Sequence, residues 1–511
     1  MRDRALTVRS LSVGLAAAVA LGLGAPYVEL ALRGQAMAAN YYPVGLGIVF
    51  LAVVLGVNVA LKALRRSWAL GEGELALVFA MAAVAATLPT QGTAGYLLSA
   101  ISGPHYFASP ENRWADVLLP HLRRWAVVDD APALRWFYEG LPRGESVPWG
   151  AWAVPLAWWG AFVGAGLFAC LCLVSIFRRQ WVEHERLAYP LAAMTLELVR
   201  GAGERPLAPR VARSGLFWAG FAVPFALLGW NTLGYFAPGL PPIPGELPPL
   251  ALAPGFPPLP LVFYWPMLCV AFFLRREVSL SLWVFVVLGV LEEGAFARLG
   301  YSVRSAAGVK YLDAAEPALA WQSYGAMAAL VATCVWVGRR HLAAVLRQAL
   351  WPGRRQQSAA RNPQAAMDPD DLLSPRTAVV GLVAAVAFMA AWLVRLGLGP
   401  GTALLFLFAA FVGFVGISRL VVEGGLVFIR PALTPQSATA ALLGNSALGA
   451  TQLAALGLSM AWVADPINAF MPAAANAARV GRWGRASGRQ IAAAMGLAAG
   501  VALLATVPFT L

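Results

Sequence analysis

The sequence predicts an all-α membrane protein, a polytopic bundle of about twelve transmembrane helices. Hydrophobic residues make up 59% of the 511 residues, and charged residues only 12%, about half the charged share of an ordinary soluble domain. Apolar stretches recur from Leu11 to Leu511 with no long polar block between them. These observations exclude a soluble protein and predict one membrane domain without a large extramembrane domain.

Twelve apolar segments are predicted to cross the bilayer, which takes about 20 residues; the 259–274 and 402–417 segments are the short ones. In the first half they are 11–32, 43–64, 74–101, 151–177 and 216–236. In the second half they are 259–274, 280–299, 318–337, 378–394, 402–417, 437–463 and 491–511. The first segment follows a basic N-terminus but continues to Leu32, so it is interpreted as an uncleaved helix rather than a signal peptide.

The net charge of +13 comes from arginines in the short segments between apolar runs. Positive charge of this kind marks the cytoplasmic side of a membrane protein, so we expect no nucleic-acid partner. Lys62, Arg65 and the 178–213 and 339–376 loops fall on the cytoplasmic side if the N-terminus does. The sequence therefore predicts a multi-pass protein of the bacterial inner (plasma) membrane, in contact with the lipid bilayer, with a cytoplasmic N-terminus.

Three loops differ from one another in composition. Residues 102–150 mix acids, arginines and aromatic residues, which predicts a folded cap on the outer surface. Residues 238–260 are so rich in proline that they must be extended. Residues 351–374 are polar and are expected to form a flexible cytoplasmic loop.

A short motif occurs twice and suggests two structurally repeated halves. Arg179 and Glu183 follow one apolar run, and Arg419 and Glu423 follow another, 240 positions later. Both copies then reach a leucine, an aromatic residue and a proline. We therefore expect a first transmembrane repeat over 1–240 and a second over 241–511, with broken or re-entrant helices and the functional site between the repeats.

The arginine and glutamate of each copy are four residues apart, so on a helix they share a face and can pair. One interpretation is a stabilising ion pair at the membrane interface. The other is that Glu183 or Glu423 binds a proton or the substrate, because a charge at membrane depth is costly to keep. Glu423 is the better candidate for that role, since Gly424 and Gly425 let the backbone open beside it.

Two further positions are candidates for the pathway. Gln91 lies in the 89–95 segment, where proline and glycine interrupt an apolar run and release backbone groups that line a cavity or pack against neighbours. Asn445 shares a small or polar helix face with Ser437 and Gln452, which either lines a path or packs against a neighbouring helix. Glu292 and Glu293 are adjacent, so their side chains diverge by about 100° on a helix and do not form a paired site.

The sequence predicts no catalytic residues, no cofactor and no bound metal. The four histidines are scattered over loops, the four cysteines lie inside apolar runs, and no nucleotide-binding motif occurs. The lack of a nucleotide-binding motif favours ion coupling over ATP as an energy source.

Three short motifs carry a resemblance to a known family. They are Glu185-Arg-Leu-Ala-Tyr-Pro190, Tyr106-Phe-Ala-Ser-Pro-Glu-Asn-Arg-Trp114 and Phe470-Met-Pro472. The chain resembles an uncharacterised family of prokaryotic polytopic membrane proteins, which in turn is distantly similar to the oligopeptide transporter family. That likeness implies duplicated halves and proton-coupled import of peptides or metal chelates. The chain departs from the transporter family in lacking its Asn-Pro-Gly signature and its sixteen spans, which puts a peptide substrate in doubt.

The sequence thus favours an ion-coupled secondary transporter of a small polar solute, with protons as the expected coupling ion and no enzymatic activity. Two alternatives stay open: a membrane-embedded enzyme acting on lipid or a lipid-linked substrate, and a scaffold subunit of a membrane complex. A polar cavity near the membrane midplane would favour transport, whereas a cleft at one interface with convergent acids would favour the enzyme.

Overall fold

The computed structural model is a bundle of helices and describes residues 5–237, 239–301, 317–351, 371–431, 433–444, 446–484 and 486–511. Within these ranges, nine helices are long and apolar enough to cross a membrane, and a bent pair of helices gives a tenth candidate. The fold is therefore compatible with a multi-pass membrane protein, as the composition predicts.

The first half contains ten helices. They are α1 (Val8–Pro26), α2 (Val44–Leu51), α3 (Asn58–Leu64), α4 (Glu72–Ala85), α5 (Ala94–Tyr106), α6 (Trp114–Val117), α7 (Ala131–Glu139), α8 (Trp149–Arg179), α9 (Pro190–Val199) and α10 (Gly215–Gly234). Three π-helical segments extend or join them: Tyr27–Ala31 after α1, Ala52–Val57 between α2 and α3, and Gln180–His184 after α8.

The second half begins with an antiparallel hairpin of β1 (Glu246–Leu250) and β2 (Leu259–Val262). Its helices are α11 (Trp265–Ala271), α12 (Arg276–Leu299), α13 (Pro317–Val337), α14 (Arg339–Leu350), α15 (Pro375–Leu396), α16 (Pro400–Gly424), α17 (Pro435–Leu443), α18 (Ala450–Leu458), α19 (Met460–Val463), α20 (Phe470–Trp483) and α21 (Gly488–Thr510).

Nine of the twelve expected spans correspond to the nine candidate membrane helices. The other three differ. The 74–101 segment is divided into α4 and α5, as the proline and glycine in it predict. The 437–463 segment is divided at Gly444, whose φ of +80° ends α17. The 259–274 segment is not a continuous helix: Pro260 and Pro266 each remove a backbone donor that such a helix would use, and the segment forms β2 and the seven-residue α11.

The centre of the bundle is α4, which is buried on every side because nearly all of its residues are small or apolar. It packs against α1, α20 and α21. At one end of α4, a Cβ atom added to Gly73 would lie 2.7 Å from Gly484 Cα, so the two backbones meet directly. At the other end, Asn468 just before α20 donates to Ala86 just after α4. Helices α4 and α20 are therefore antiparallel.

Both of these helices belong to longer interrupted paths through the bundle. α4 is followed by a turn over 86–93 and then by α5. Helices α18 and α19 are followed by a turn over 464–469 and then by α20. The angle between the helical segments Ala450–Asn468 and Phe470–Trp483 is 44°. The turn between α4 and α5 thus contacts the turn between α19 and α20, and the two interrupted helices run in opposite directions.

The expected cap is folded and lies at the end of α5 and the start of α8. The Tyr138 hydroxyl of α7 lies 2.9 Å from the Ser102 hydroxyl of α5, and Trp159 of α8 donates to the Ala126 carbonyl. His121 reaches Thr451 at the start of α18. The opposite end carries many arginines, among them Arg178 and Arg179, and is called the arginine-rich end below.

Helices α10 and α12 stand apart from this core. None of the apolar window of α10 and only 6% of that of α12 is buried against the rest of the chain. Their exposed side chains are large and apolar, which suits contact with lipid tails. Glu292 and Glu293 lie on α12.

Candidate functional site

A polar cleft lies at the arginine-rich end of the bundle, between the end of α8, α14 and the start of α15. Its volume is about 680 Å³. Charged and histidine side chains make up much of its wall: Arg179, Glu183, His184, Glu185, Arg340, His341 and Asp371. The cleft can therefore admit a polar molecule of moderate size.

Both Arg–Glu pairs expected from the repeated motif form. Arg179 Nε lies 2.9 Å from Glu183 Oε2, and Arg419 Nε lies 2.8 Å from Glu423 Oε2. Their surroundings differ, because the side chain of Arg179 is 48% exposed and that of Arg419 only 11% exposed. The first pair lies on the wall of the cleft. In the second pair, Arg419 is mostly buried, whereas the Glu423 side chain is 36% exposed.

Glu185 joins the two copies of the motif and was not singled out as a functional residue by the sequence analysis. Its carboxylate forms an ion pair with Arg419 and accepts a hydrogen bond of 2.9 Å from the Gln180 amide. The Tyr189 N–H also donates to the Val422 carbonyl at 2.9 Å. The structure therefore brings the segments after α8 and near the end of α16 together, while the duplication of the two halves remains a prediction.

Two histidines face each other in the cleft. The ring centroids of His184 and His341 are 5.6 Å apart, and a His341 ring nitrogen lies 3.0 Å from the Ile176 carbonyl oxygen. Burial lowers the pKa of His341 below its ordinary value of 6.5. Within the described ranges, no three His, Cys, Asp or Glu residues are grouped so as to hold a metal ion.

A second polar cluster lies where the two interrupted helices break. In the 86–93 turn, Thr90 has a φ of +41°, and a Cβ atom on Gly92 would lie 1.9 Å from the Thr87 carbonyl oxygen, so only glycine fits there. In the 464–469 turn, Asp465 accepts a hydrogen bond of 3.2 Å from the Ile467 N–H. The Asn468 amide group donates to the Ala86 carbonyl, which ties the two turns together.

Charged groups surround these turns. Asp465, whose side chain is 4% exposed, lies 3.0 Å from Arg430, whose side chain is 35% exposed. The Tyr41 hydroxyl donates to the Pro466 carbonyl at 2.7 Å, and the Ile429 carbonyl oxygen lies 3.1 Å from it. The Glu29 carboxylate accepts from the Thr90 hydroxyl at 2.9 Å. Four separate chain segments thus meet at the breaks, because unpaired backbone groups inside a bundle need such partners.

A small cavity of about 40 Å³ lies beside this cluster. Asp465, Asn468, Thr93 and Trp462 line it together with Gly166 of α8. Gly166 lies near the middle of the 36-residue helical run Trp149–His184, roughly 25 Å from each end at 1.5 Å per residue. The cavity, with Asp465 and Asn468 on its wall, is called the mid-depth site below.

The residues chosen from the sequence are divided between these two places. Arg179 and Glu183 line the cleft, and Arg419 pairs with Glu423 and with Glu185 of the cleft wall. Gln91 is half-buried in the 86–93 turn, next to Gly92 of the cavity wall. Asn445 lies outside the described residues.

Four charged or polar residues at or around the mid-depth site are not predicted from the sequence: Glu29, Arg430, Asp465 and Asn468. Their one local signal is an Asp-Pro step between apolar runs at 465–466. That signal gives no partner, because Arg430 and Asp465 are 35 positions apart and Ala86 and Asn468 are 382 apart.

A family model of a family of unknown function (DUF6785) matches residues 1–511. The chain belongs to this family. Its membership confirms the expectation of an uncharacterised family. For this DUF6785 chain, comparison with curated proteins and with solved structures finds no match. The likeness to oligopeptide transporters stays a prediction.

Proposed function

We propose that this protein is an ion-coupled secondary transporter of a small polar solute, and that the mid-depth site is its centre. The observation that supports this function best is the meeting of two antiparallel interrupted helices beside the buried Asp465. A buried charge and irregular backbone at this depth are both costly, and transporters use the two together to bind ions and solutes.

The helix ends at the breaks suit a ligand that carries both signs of charge. α4 and α19 end there with partly negative carbonyl groups, whereas α5 and α20 begin there with partly positive N–H groups. A zwitterion such as an amino acid or a peptide complements this arrangement. The likeness to oligopeptide transporters extends the candidates to metal chelates.

The cleft at the arginine-rich end supplies the access route in this proposal. Arg179 and Glu183 on its wall would meet the solute first. Arg419 and Glu423 hold the wall in place through Glu185. Gln91, half-buried in the 86–93 turn, would contact the solute at the break.

Solute-induced currents in proteoliposomes test the proposal. The purified full-length chain is reconstituted, and currents are recorded on a solid-supported membrane after addition of alanine, dialanine or ferric citrate, with a proton or a sodium gradient. At least one solute should give a saturable current. Asp465→Asn should reduce that current at least tenfold, since it removes the buried charge.

Asp116→Asn is the matched control, because the Asp116 side chain lies in the cap and is 71% exposed. It should leave the current unchanged. Equal currents in wild type and Asp465→Asn would remove the mid-depth site from the mechanism. Wild-type protein that gives no current with any of the three solutes would contradict transport of these classes.

The cleft favours a second candidate function, a membrane-embedded enzyme acting on a lipid-linked substrate. It holds two neighbouring histidines and three acids at one end of the bundle. Against this function, the carboxylates of Glu183 and Glu185 are already paired with arginines. Turnover of a polyprenyl-phosphate sugar by the purified protein, lost in His341→Gln, would favour the enzyme over the transporter.

A further inference from the structure

We infer that the mid-depth site binds a sodium ion, with the Asp465 carboxylate and the Asn468 amide oxygen among its ligands. This inference deepens the proposed function, because it names the coupling ion. The binding of sodium can nevertheless be measured without any transported solute.

The first observation is the orientation of the Asn468 side chain, which is buried and lines the cavity. Its Nδ2 donates to the carbonyl oxygens of both Ala38 and Ala86. If the amide oxygen and nitrogen of Asn468 were exchanged, Oδ1 would face the two carbonyl oxygens and repel them. The two carbonyls therefore fix the orientation of the amide. Oδ1 is consequently left as a buried acceptor without a hydrogen-bond partner among the described residues. Such an oxygen needs a cation or a water molecule beside it.

The second observation is the charge of the cluster. Glu29 and Asp465 carry two negative charges, and Arg430 carries one positive charge. Ala38 connects Glu29 with Asn468: its N–H donates to the Glu29 carboxylate at 3.3 Å, and its carbonyl accepts from the Asn468 amide. The cluster therefore has a net charge of −1 when all three groups are ionised, and one monovalent cation balances it.

The third observation is the size and chemistry of the cavity. At about 40 Å³ the cavity has room for a bare ion with one or two water molecules, since a cavity needs about 10–15 Å³ to hold one water molecule. A fully hydrated ion is too large for it. Carboxylate, amide and hydroxyl oxygens are the ligands that hard cations prefer, and Asp465, Asn468 and Thr93 offer one of each.

Thermal unfolding of the purified full-length chain in detergent tests the inference. The melting temperature is measured in NaCl, KCl and choline chloride at equal ionic strength. A ligand that binds only the folded state raises the melting temperature with its concentration. We expect a saturable rise in NaCl that is absent in choline chloride, lost in Asp465→Asn and kept in Asp116→Asn.

Binding of radioactive sodium to wild-type protein gives a second readout that does not depend on a variant that folds. Unlabelled NaCl should displace the label, and choline chloride should not. Equal melting temperatures in all three salts, together with no displaceable label, would mean that the cavity holds water only and would overturn the inference. A sodium effect that persists in folded Asp465→Asn would also overturn it. Solute currents driven by a proton gradient without sodium would leave the transport function standing while this inference fails.

Discussion

The ion pairs of Arg419 with Glu185 and Glu423, called the cleft junction below, and the mid-depth site are both polar clusters in an apolar bundle, but they arise in different ways. At the junction, Arg419, Glu423 and Glu185 come from regular helix or from the turn directly after it, near the end of the bundle. At the mid-depth site, Asp465 and Arg430 come from non-helical segments, and Asp465 is almost fully buried. A charge at the end of a bundle can reach water, whereas a charge at its middle depends on protein partners.

This difference indicates where function is concentrated. Paired charges four residues apart on a helix are common stabilising features. The Asp465 carboxylate accepts from the Ile467 N–H and pairs with Arg430, but it does so inside the bundle, where a charge is costly to keep. The comparison therefore predicts that changes at the mid-depth site cost more than equivalent changes at the junction.

The largest effect on stability is expected for Asp465→Ala. The substitution leaves Arg430 without its carboxylate and the Ile467 N–H without its acceptor. Loss of one partner of a buried ion pair costs about 3–5 kcal/mol, and the partial exposure of Arg430 favours the lower end, about 3 kcal/mol. Denaturant unfolding in detergent measures the change, with Asp116→Ala as the control. A loss of unfolding free energy below about 1 kcal/mol would show that the Asp465–Arg430 pair contributes no more to stability than a surface pair.

A smaller effect is expected for Arg419→Ala. The Glu185 carboxylate would keep only Gln180, and Glu423 would lose its partner, at a cost of about 1–3 kcal/mol. Arg179→Ala is the matched variant in the other copy of the motif. Its exposed pair should contribute no more than about 0.5 kcal/mol. Equal losses in the two variants would remove the distinction between the inner and the outer pair.

The smallest effect is expected from His341 in the cleft. Because burial lowers its pKa in the folded protein below 6.5, the unfolded chain takes up the proton first as the pH falls. The stability that His341 contributes is therefore present above about pH 6.5 and is lost as the pH falls through the folded pKa. Melting temperatures between pH 7.5 and 5 should fall more for wild type than for His341→Gln. Parallel curves would mean that His341 makes no contribution in this pH range.

Hydropathy was sufficient to predict the long helices, because each apolar run of sufficient length forms its own hydrogen bonds within one segment. It failed at 259–274, where proline removes backbone donors, and at Gly444, where a positive φ ends the helix. The 74–101 interruption was predictable from Pro89 and Gly92. Local patterns thus determine where helices run and where they stop.

The candidate site was only partly predictable. The four-residue spacing correctly predicted that Arg419 pairs with Glu423. It could not predict that Glu185, 234 positions away, shares Arg419. The mid-depth site depends on contacts between segments far apart in sequence, such as Tyr41 with Pro466. Pairings of this kind follow from the packing of the bundle and have no short-range signal.

The central claim is that ion coupling depends on the acid at mid-depth and not on the acids at the end of the bundle. The most direct test compares solute currents of Asp465→Asn and Glu423→Gln with those of wild type in the same proteoliposome preparation, after correction for the amount of folded protein. We predict that Asp465→Asn loses at least nine-tenths of the current and that Glu423→Gln keeps more than half. Loss of the current in Glu423→Gln with an undiminished current in Asp465→Asn would contradict the account and assign the coupling role to Glu423.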